Sequence, residues 1–273
     1  MGDLRYVLLS NPVDEVAFAL PGASAASLVP ALRTCLEKGV TARLVLEVPD
    51  IEIDRPKFES LGGLPVVSFE RVPTPGLGIV AKRLIDIAGA LVGLIACGLV
   101  YVLYGPRIRR QSPGPVLFKQ SRVGRNGRPL VLYKFRTMVD GAEAQRDALA
   151  KDNEMEGPVF KIKDDPRITP LGKRMRARHL DELPQFWSVL KGEMSLVGTR
   201  PPTPDEVACY DFEHHARLGW KPGLTGMWQV NGHVKRFEDI VRLDRQYIES
   251  WSLGLDFKIL AQTVRKVVRA QGV

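Results

Sequence analysis

Two acids stand side by side in HLDELPQFWSV (His179–Val189): Asp181 and Glu182, with Pro184 two residues on and an apolar run after it. Neighbours on a helix project about 100° apart, because one turn holds 3.6 residues. Such a pair cannot flank one scissile bond in the way glycosidase carboxylates do from opposite sides of a sugar ring. It can share a cation, one acid holding a divalent metal while the other does chemistry. A helix N-terminus is also a seat for anions, since its free N–H groups point outward. Just upstream, Arg167, Lys173, Arg174, Arg176 and Arg178 supply positive charge. One reading is therefore a metal–diphosphate site. The other is a helix start in which Asp181 caps the backbone and both acids favour the helix dipole. From these residues alone both stay open.

Elements that would position the pair are legible around it. DELPQFWSVLKG carries helix start and stop signals, with an Asp cap, Pro184 in the first turn and Gly192 at the end. ITPLGKRMRARHL (Ile168–Leu180) reads as a basic helix, and AEAQRDALAKDNE (Ala142–Glu154) as a polar, solvated one. Before them, VGRNGRP is a strong turn and Leu130–Phe135 a strand. The C-terminal stretch YIESWSLGLDFKILAQTVRKVVRAQ sets an apolar stripe (Leu255, Ile259, Leu260, Val264, Val267, Val268) beside Lys258, Arg265, Lys266 and Arg269. That suits a membrane-surface helix or a domain-packing helix equally.

Ile87–Tyr104, IAGALVGLIACGLVYVLY, has no charged residue. As a helix it spans about 27 Å, close to the hydrocarbon thickness of a bilayer. Lys82 and Arg83 flank one end and Arg107, Arg109 and Arg110 the other. The positive-inside rule puts both ends on the cytoplasmic side, which a straight span does not satisfy and a re-entrant one does. Gly93, Gly98, Gly105 and Pro106 are the weak points where such a helix would bend.

The 273 residues suffice for a real core, and the formal net charge is +8. Residues 1–78 hold 7 basic and 10 acidic side chains, and the remainder 32 and 21. The anionic partner therefore belongs to the second part. Nucleic acid is excluded as that partner, because the aromatic residues are not interleaved with the basic ones as stacking platforms require. Cys35, Cys97 and Cys209 are far apart and read as free thiols of a reducing compartment, without structural zinc. The N-terminus is acidic and lacks a secretory pattern. Within residues 1–72, Val13–Pro21, Val40–Pro49 and Leu64–Val72 read as strands and Ser24–Gly39 as a helix, an order that favours a small parallel, Rossmann-like α/β module. No GxGxxG is present, so no dinucleotide is inferred. VPTPGLG then reads as a linker.

Seven motifs then occur in order: KRLIDIAGAL (Lys82–Leu91), SPGPVLFKQSRVG (Ser112–Gly124), LYKFRTM (Leu132–Met138), DPRITPLGKRMR (Asp165–Arg176), LDELPQFWSVLKGEMSLVGTRP (Leu180–Pro201), KPGLTGMWQVNG (Lys221–Gly232) and LDRQYIESWSLGLDFKIL (Leu243–Leu260). Over residues 79–273 the chain closely resembles the bacterial sugar transferases, the monotopic phosphoglycosyl transferases that start lipid-linked glycan assembly. The resemblance implies an α/β chain with an α+β catalytic domain and one re-entrant membrane helix. Its organisation would be a partial Rossmann-like module at 1–72, a linker at 73–78, the membrane helix at 79–111 and a catalytic domain on the cytoplasmic face of the bacterial inner membrane at 112–273.

The implied reaction moves a hexose-1-phosphate from a UDP-sugar to undecaprenyl phosphate, with galactose or glucose as the favoured sugar. Asp181 would be the nucleophile that forms a covalent phospho-sugar intermediate. Glu182 would hold Mg2+ together with Asp181, or handle protons. Lys119, Lys134, Arg136, Arg176 and Arg200 are the implied phosphate-binding residues, each with an alternative as a surface or lipid-headgroup charge. A membrane-anchored, catalytically inactive assembly protein is the competing expectation. The sequence departs from the family pattern at Gly98-Leu99, where a Ser-Pro break is usual, at Thr199 in place of proline, and at His179 in place of serine. Residues 1–72 resemble the end of a module in larger members, which carry four transmembrane helices before it. The implication is either a naturally shortened form or a truncated piece of such a member, with homodimers as the expected assembly.

Overall fold

The computed structural model describes residues 4, 6–8, 15–19, 25–38, 40–45, 57–61, 64–68, 76–145, 147–160, 162, 164–232, 234 and 236–269. They divide into two compact units, Met1–Phe69 and Glu70–Val273. Residues 73–75 of the expected linker lie outside the described residues.

In the first unit, strand β1 (Glu15–Ala19), helix α1 (Val29–Lys38) and strand β2 (Thr41–Val45) follow the expected order. β1 and β2 pair in parallel, with Val16 opposite Ala42 and Phe18 opposite Leu44. Leu8, Cys35 and Val40 are buried between helix and strands. The third expected strand differs. β4 (Leu64–Ser68) pairs antiparallel with β3 (Lys57–Leu61), in a sheet separate from β1 and β2. Only two residues separate β3 from β4 in the chain. A parallel pairing needs a crossover of a dozen or more residues, so this connection dictates a hairpin. Among the described residues the unit holds one parallel pair and one hairpin, and no larger Rossmann-type sheet is formed. KFESL lacks the apolar alternation that would mark it as a strand in advance.

The second unit opens with α2 (Leu77–Gln111), 35 residues long, the one helix among the described residues long and apolar enough to cross a membrane. Its most apolar 18-residue window has a mean hydropathy of 2.3. The helix runs unbroken through Gly93, Gly98, Gly105 and Pro106, so the break expected at one of these points is absent. The glycines have another explanation. A Cβ on Gly93 would lie 2.3 Å from the Phe186 ring, and one on Gly89 2.6 Å from a Leu196 methyl. These glycines let the helix axis approach the unit closely, so they mark contact and not flexure. A stripe at helical spacing makes that contact. Lys82, Asp86, Ala90 and Gly93 are buried, and Cys97, Val100, Tyr104 and Ile108 continue it against Val116, Phe135 and Met175. The other side leaves Leu84, Leu91, Val92, Ile95, Leu99, Val102 and Leu103 exposed.

Both ends of α2 are fastened to this same unit. At the first, Lys82 Nζ donates to Asp256 Oδ2 at 2.6 Å and to the Val197 carbonyl at 2.9 Å. Arg83 donates to the last carbonyls of a following helix, Val189 and Leu190, at 2.7 Å each. Asp86 accepts from Ser195 Oγ and the Leu196 N–H. At the second end Ile108 is buried against Val116 and Phe135.

Strands β5 (Leu117–Val123) and β6 (Pro129–Phe135) form an antiparallel hairpin whose tip uses left-handed Asn126 (φ 56°) and Gly127 (φ 77°). The polar helix expected over Ala142–Glu154 shrinks to a 3-10 stretch, Asp147–Asp152. The Ala142 carbonyl is taken by the Arg167 guanidinium. Helix α3 (Pro170–Ala177) is capped by Thr169, whose hydroxyl accepts from Gly172 N–H at 3.0 Å, and has proline in its first turn. A 3-10 turn, Leu180–Gln185, then leads into α4 (Phe186–Lys191), which ends at left-handed Gly192 (φ 86°).

The remaining elements are β7 (Ser195–Val197), α5 (Pro204–Ala208), β8 (Gly223–Thr225), α6 (Met227–Asn231), α7 (Phe237–Glu249) and α8 (Leu253–Val268). β7 and β8 pair in parallel. Their backbones come so close at Gly198 and Gly223 that a Cβ on either would sit within 2.3 Å of main-chain atoms. The main core gathers Ala90, Leu130, Leu132, Val189, Met194, Val197, Trp220, Tyr247 and Ile259 from α2, the hairpin, α4, β7, α7, α8 and the segments between them. For α8 the domain-packing reading holds on one side, where Asp256 and Ile259 are buried, while Phe257, Val264 and Val268 remain exposed.

Candidate active site

The pleat of β6 puts Leu130, Leu132 and Lys134 on one face, and the register sets Arg122, Gln120 and Phe118 of β5 opposite them. Leu130 and Leu132 are core residues, so this face looks into the unit. Lys134, at its edge, reaches the 3-10 turn: its Nζ donates to Glu182 Oε1 at 3.0 Å. On the other side of Glu182, His179 Nδ1 stands 4.0 Å from Oε2.

The turn itself is not the capped α-helix start that its letters suggest. His179, not Asp181, is the N-cap residue, in the left-handed region (φ 53°) and without a side-chain capping bond. Left-handed backbone at a non-glycine residue is costly and concentrates at functional sites. It turns the chain so that Asp181 enters the first 3-10 turn as a buried residue, 7% exposed.

Burial, and then the charge of Glu182, push the Asp181 carboxyl above the usual carboxylate range, against the pull of Lys134 and Arg176. For Glu182 burial works the same way, but Lys134 overcomes it and holds that carboxyl below its ordinary value. Adjacent acids thus receive opposite settings from their partners. That divergence is what a site needs in which one acid stays an ion-paired anchor and the other is a poorly solvated, reactive carboxylate.

Arg176 comes from α3. Its Nε donates to Thr137 Oγ1 at 3.0 Å and its charge acts on Asp181. The close passage of α3 depends on Gly172, where a Cβ would lie 2.1 Å from the Thr137 carbonyl. Arg167 of the same basic run has a different job: it grips Asp165 with Nε and Nη2, at 2.9 and 2.6 Å, and both side chains are buried.

Arg200 lies in an adjacent group. It makes a two-pronged pair with Glu206 (2.5 and 3.0 Å) and its guanidinium stands 5.8 Å from the centre of the Trp228 ring. Behind it, Arg217 donates to Asp244, to the Tyr210 hydroxyl and to the Arg200 carbonyl. Glu206 is buried, yet Arg200 holds its carboxyl below the ordinary value.

Of the seven expected site residues, Asp181, Glu182, Lys134 and Arg176 come together, and Arg200 stands in the neighbouring group. Lys119 and Arg136 do not join them. Lys119 is on the opposite face of the hairpin, over the Tyr133 ring at 5.9 Å. Arg136 donates to the Pro113 carbonyl at 2.7 Å and to the Ser112 carbonyl, closing the turn that follows α2. Sequence reasoning missed Arg122, whose charge reaches both Glu182 and Glu206. The signal was partial: Arg122 is two residues from Gln120, so a strand puts them on one face, but only the register shows that this face carries Lys134.

Among the described residues no group of three or more His, Cys, Asp or Glu could cage a metal. Mg2+ does not require one. It is a hard cation commonly held by one or two carboxylates together with substrate phosphates and water. Asp181 and Glu182 fit that donor set, and the Glu182 charge that adds to burial in raising the Asp181 pKa is one a cation would offset.

A family model described as Bacterial sugar transferase matches residues 77–270, the whole stretch from α2 to α8. The chain belongs to the bacterial sugar transferase family. The galactosyl transferase CpsE of Streptococcus agalactiae is 45% identical over 223 residues, covering 81% of this chain and 49% of that protein. The uncharacterized sugar transferase EpsL of Bacillus subtilis is 39% identical over 71% of this chain and 91% of its own length. The undecaprenyl-phosphate galactose phosphotransferase of Salmonella typhimurium is 40% identical over 70% of this chain and 41% of that protein. The chain thus matches about half of the first relative or less of the third, and nearly all of the second. In this family member, Thr199 is buried beside Pro222, where its carbonyl accepts from Gly223 N–H at 2.9 Å. His179 supplies the left-handed entry to the Asp181 turn.

Proposed function

We propose that this chain is a phosphoglycosyl transferase that moves a hexose-1-phosphate, galactose or glucose, from a UDP-sugar to undecaprenyl phosphate. The reading rests above all on one observation: a buried Asp181 with a raised carboxyl pKa beside a Glu182 that Lys134 keeps ionised. The names of the galactose-transferring relatives support the substrate class.

In the first step an Asp181 carboxylate oxygen forms a bond to the sugar-proximal phosphorus. The bond from that phosphorus to the bridging oxygen breaks, and UMP leaves with the electron pair. In the second step an oxygen of undecaprenyl phosphate attacks the same phosphorus and Asp181 departs as a carboxylate. One difficult displacement becomes two easier ones. Lys134 and Arg176 face the charge that develops on the phosphoryl oxygens. Arg200 suits the second phosphate because its planar guanidinium donates to phosphate in two-pronged fashion, as it now does to the Glu206 carboxylate. Mg2+, when bound by Asp181 or Glu182 with the diphosphate, would neutralise charge on the diphosphate oxygens.

A membrane setting follows from α2. An unbroken helix with both ends tied to one unit and an apolar side turned away from it suits a monotopic protein held along one membrane face, in place of the re-entrant span expected from its flanking charges. The test of the reading is UMP release from a panel of UDP-sugars by membrane fractions supplied with undecaprenyl phosphate. Release from UDP-galactose or UDP-glucose supports it. Silence across the panel favours an inactive assembly protein.

A further inference from the structure

The site has two halves on different parts of the chain, and one side chain joins them. The acid pair and Lys134 belong to the 3-10 turn and β6. Arg200 and Glu206 belong to the loop after β7 and to α5. Arg122 of β5 touches that loop directly: its Nη1 donates to the Pro201 carbonyl at 3.0 Å. The next residue repeats the link in the backbone, Val123 N–H donating to the Pro202 carbonyl at 2.8 Å. The Arg122 Nη2 donates to Gln120 Oε1 at 2.9 Å, which orients the guanidinium plane along the hairpin face that carries Lys134.

We propose that Arg122 is a positioning residue of the phosphate site, holding the Arg200 loop against the hairpin so that Lys134 and Arg200 face one diphosphate. The inference rests on the transfer reading given above.

The consequence that distinguishes it from a residue that merely helps the fold is geometric. A diphosphate spans both halves, so a loop displaced by about 1 Å can cost as much as 100-fold in rate although every contacting group is still present.

The experiment measures UMP release against UDP-sugar concentration, and urea unfolding of the same preparations, for wild type, Arg122→Gln and Arg122→Lys, with Gln120→Met as a milder variant that keeps the charge. For Arg122→Gln the expected result is a fall of about 10- to 100-fold in kcat/KM, larger than its loss of unfolding stability accounts for. Arg122→Lys, which keeps a donor but not the planar fork, recovers part of that loss. Gln120→Met lowers the rate less than Arg122→Gln. Should Arg122→Gln not fold, the lysine and Gln120 variants carry the comparison. The proposal is overturned if Arg122→Gln keeps wild-type kcat/KM, or if the rate losses of the variants merely track their losses of unfolding stability. Absence of UMP release by the wild type speaks against the transfer reading itself. An active wild type with an unaffected Arg122→Gln speaks against Arg122 alone.

Discussion

Replacing Lys134 with methionine should separate chemistry from stability. The Lys134–Glu182 pair is 3.0 Å long, but its side chains are 26% and 29% exposed. Solvent screening at that exposure limits its contribution to folding to about 1 kcal/mol or less. The sign follows from Glu182: with its folded pKa depressed, the contribution is present above the unfolded pKa and is lost as pH falls through the folded one. Catalysis is a different matter. A preorganised donor aimed at developing charge is worth about 2.7–4 kcal/mol, or about 100- to 1,000-fold in rate. Methionine keeps the length of the stem and removes the charge. UMP release should therefore fall about 100-fold or more, while the unfolding free energy from urea titration of the same preparation drops by no more than about 1 kcal/mol. The acid limb of the residual activity should move up as Glu182 loses its partner. Activity within about threefold of wild type, against the range expected of such a donor, would refute the electrostatic role. A loss of stability of about 3 kcal/mol or more, the size expected of a buried pair, would show that the exposure argument is wrong.

The Lys82–Asp256 bridge predicts the reverse pattern. Both residues are buried, so Lys82→Met leaves the Asp256 carboxylate, with Tyr247 and Trp251 still donating to it, without its countercharge and should cost about 3–5 kcal/mol, much of it recovered in the double variant with Asp256→Leu. Along α2, Gly93→Val should strongly destabilise by meeting Phe186. Gly98→Ala, with nothing within 4 Å, should change stability by about 1 kcal/mol at most, read from thermal unfolding in detergent. Because burial and Glu182 raise the Asp181 pKa, folding stability falls as pH rises from the unfolded to the folded value. Asp181→Asn should therefore unfold at a higher temperature than wild type at neutral pH, while losing UMP release.

Much of this architecture could be read from the letters, because the signals were local. The cap of α3, the stop at Gly192, the tip of the hairpin and the apolar length of α2 each depend on a few neighbouring residues. What could not be read depended on distant partners. The glycines of α2 look like hinges until Phe186 and Leu196 are placed against them. The DELPQ turn looks like an Asp-capped helix until His179 takes the left-handed conformation and Asp181 turns inward. Arg136 has a cation's look of a phosphate ligand, but its place beside the end of α2 commits it to two carbonyls. Lys119 and Lys134 differ by a strand face, a distinction invisible without the register. KFESL shows that a strand can be set by its hairpin partner and not by its own pattern.

The central claim is that Asp181 carries the phospho-sugar. Its most direct test is mass spectrometry of the protein after incubation with UDP-galactose or UDP-glucose and Mg2+, without acceptor. The account predicts a hexose-phosphate adduct on the peptide containing Asp181, lost on addition of undecaprenyl phosphate and absent from Asp181→Asn. Full turnover by Asp181→Asn, or an adduct on another residue, would contradict it.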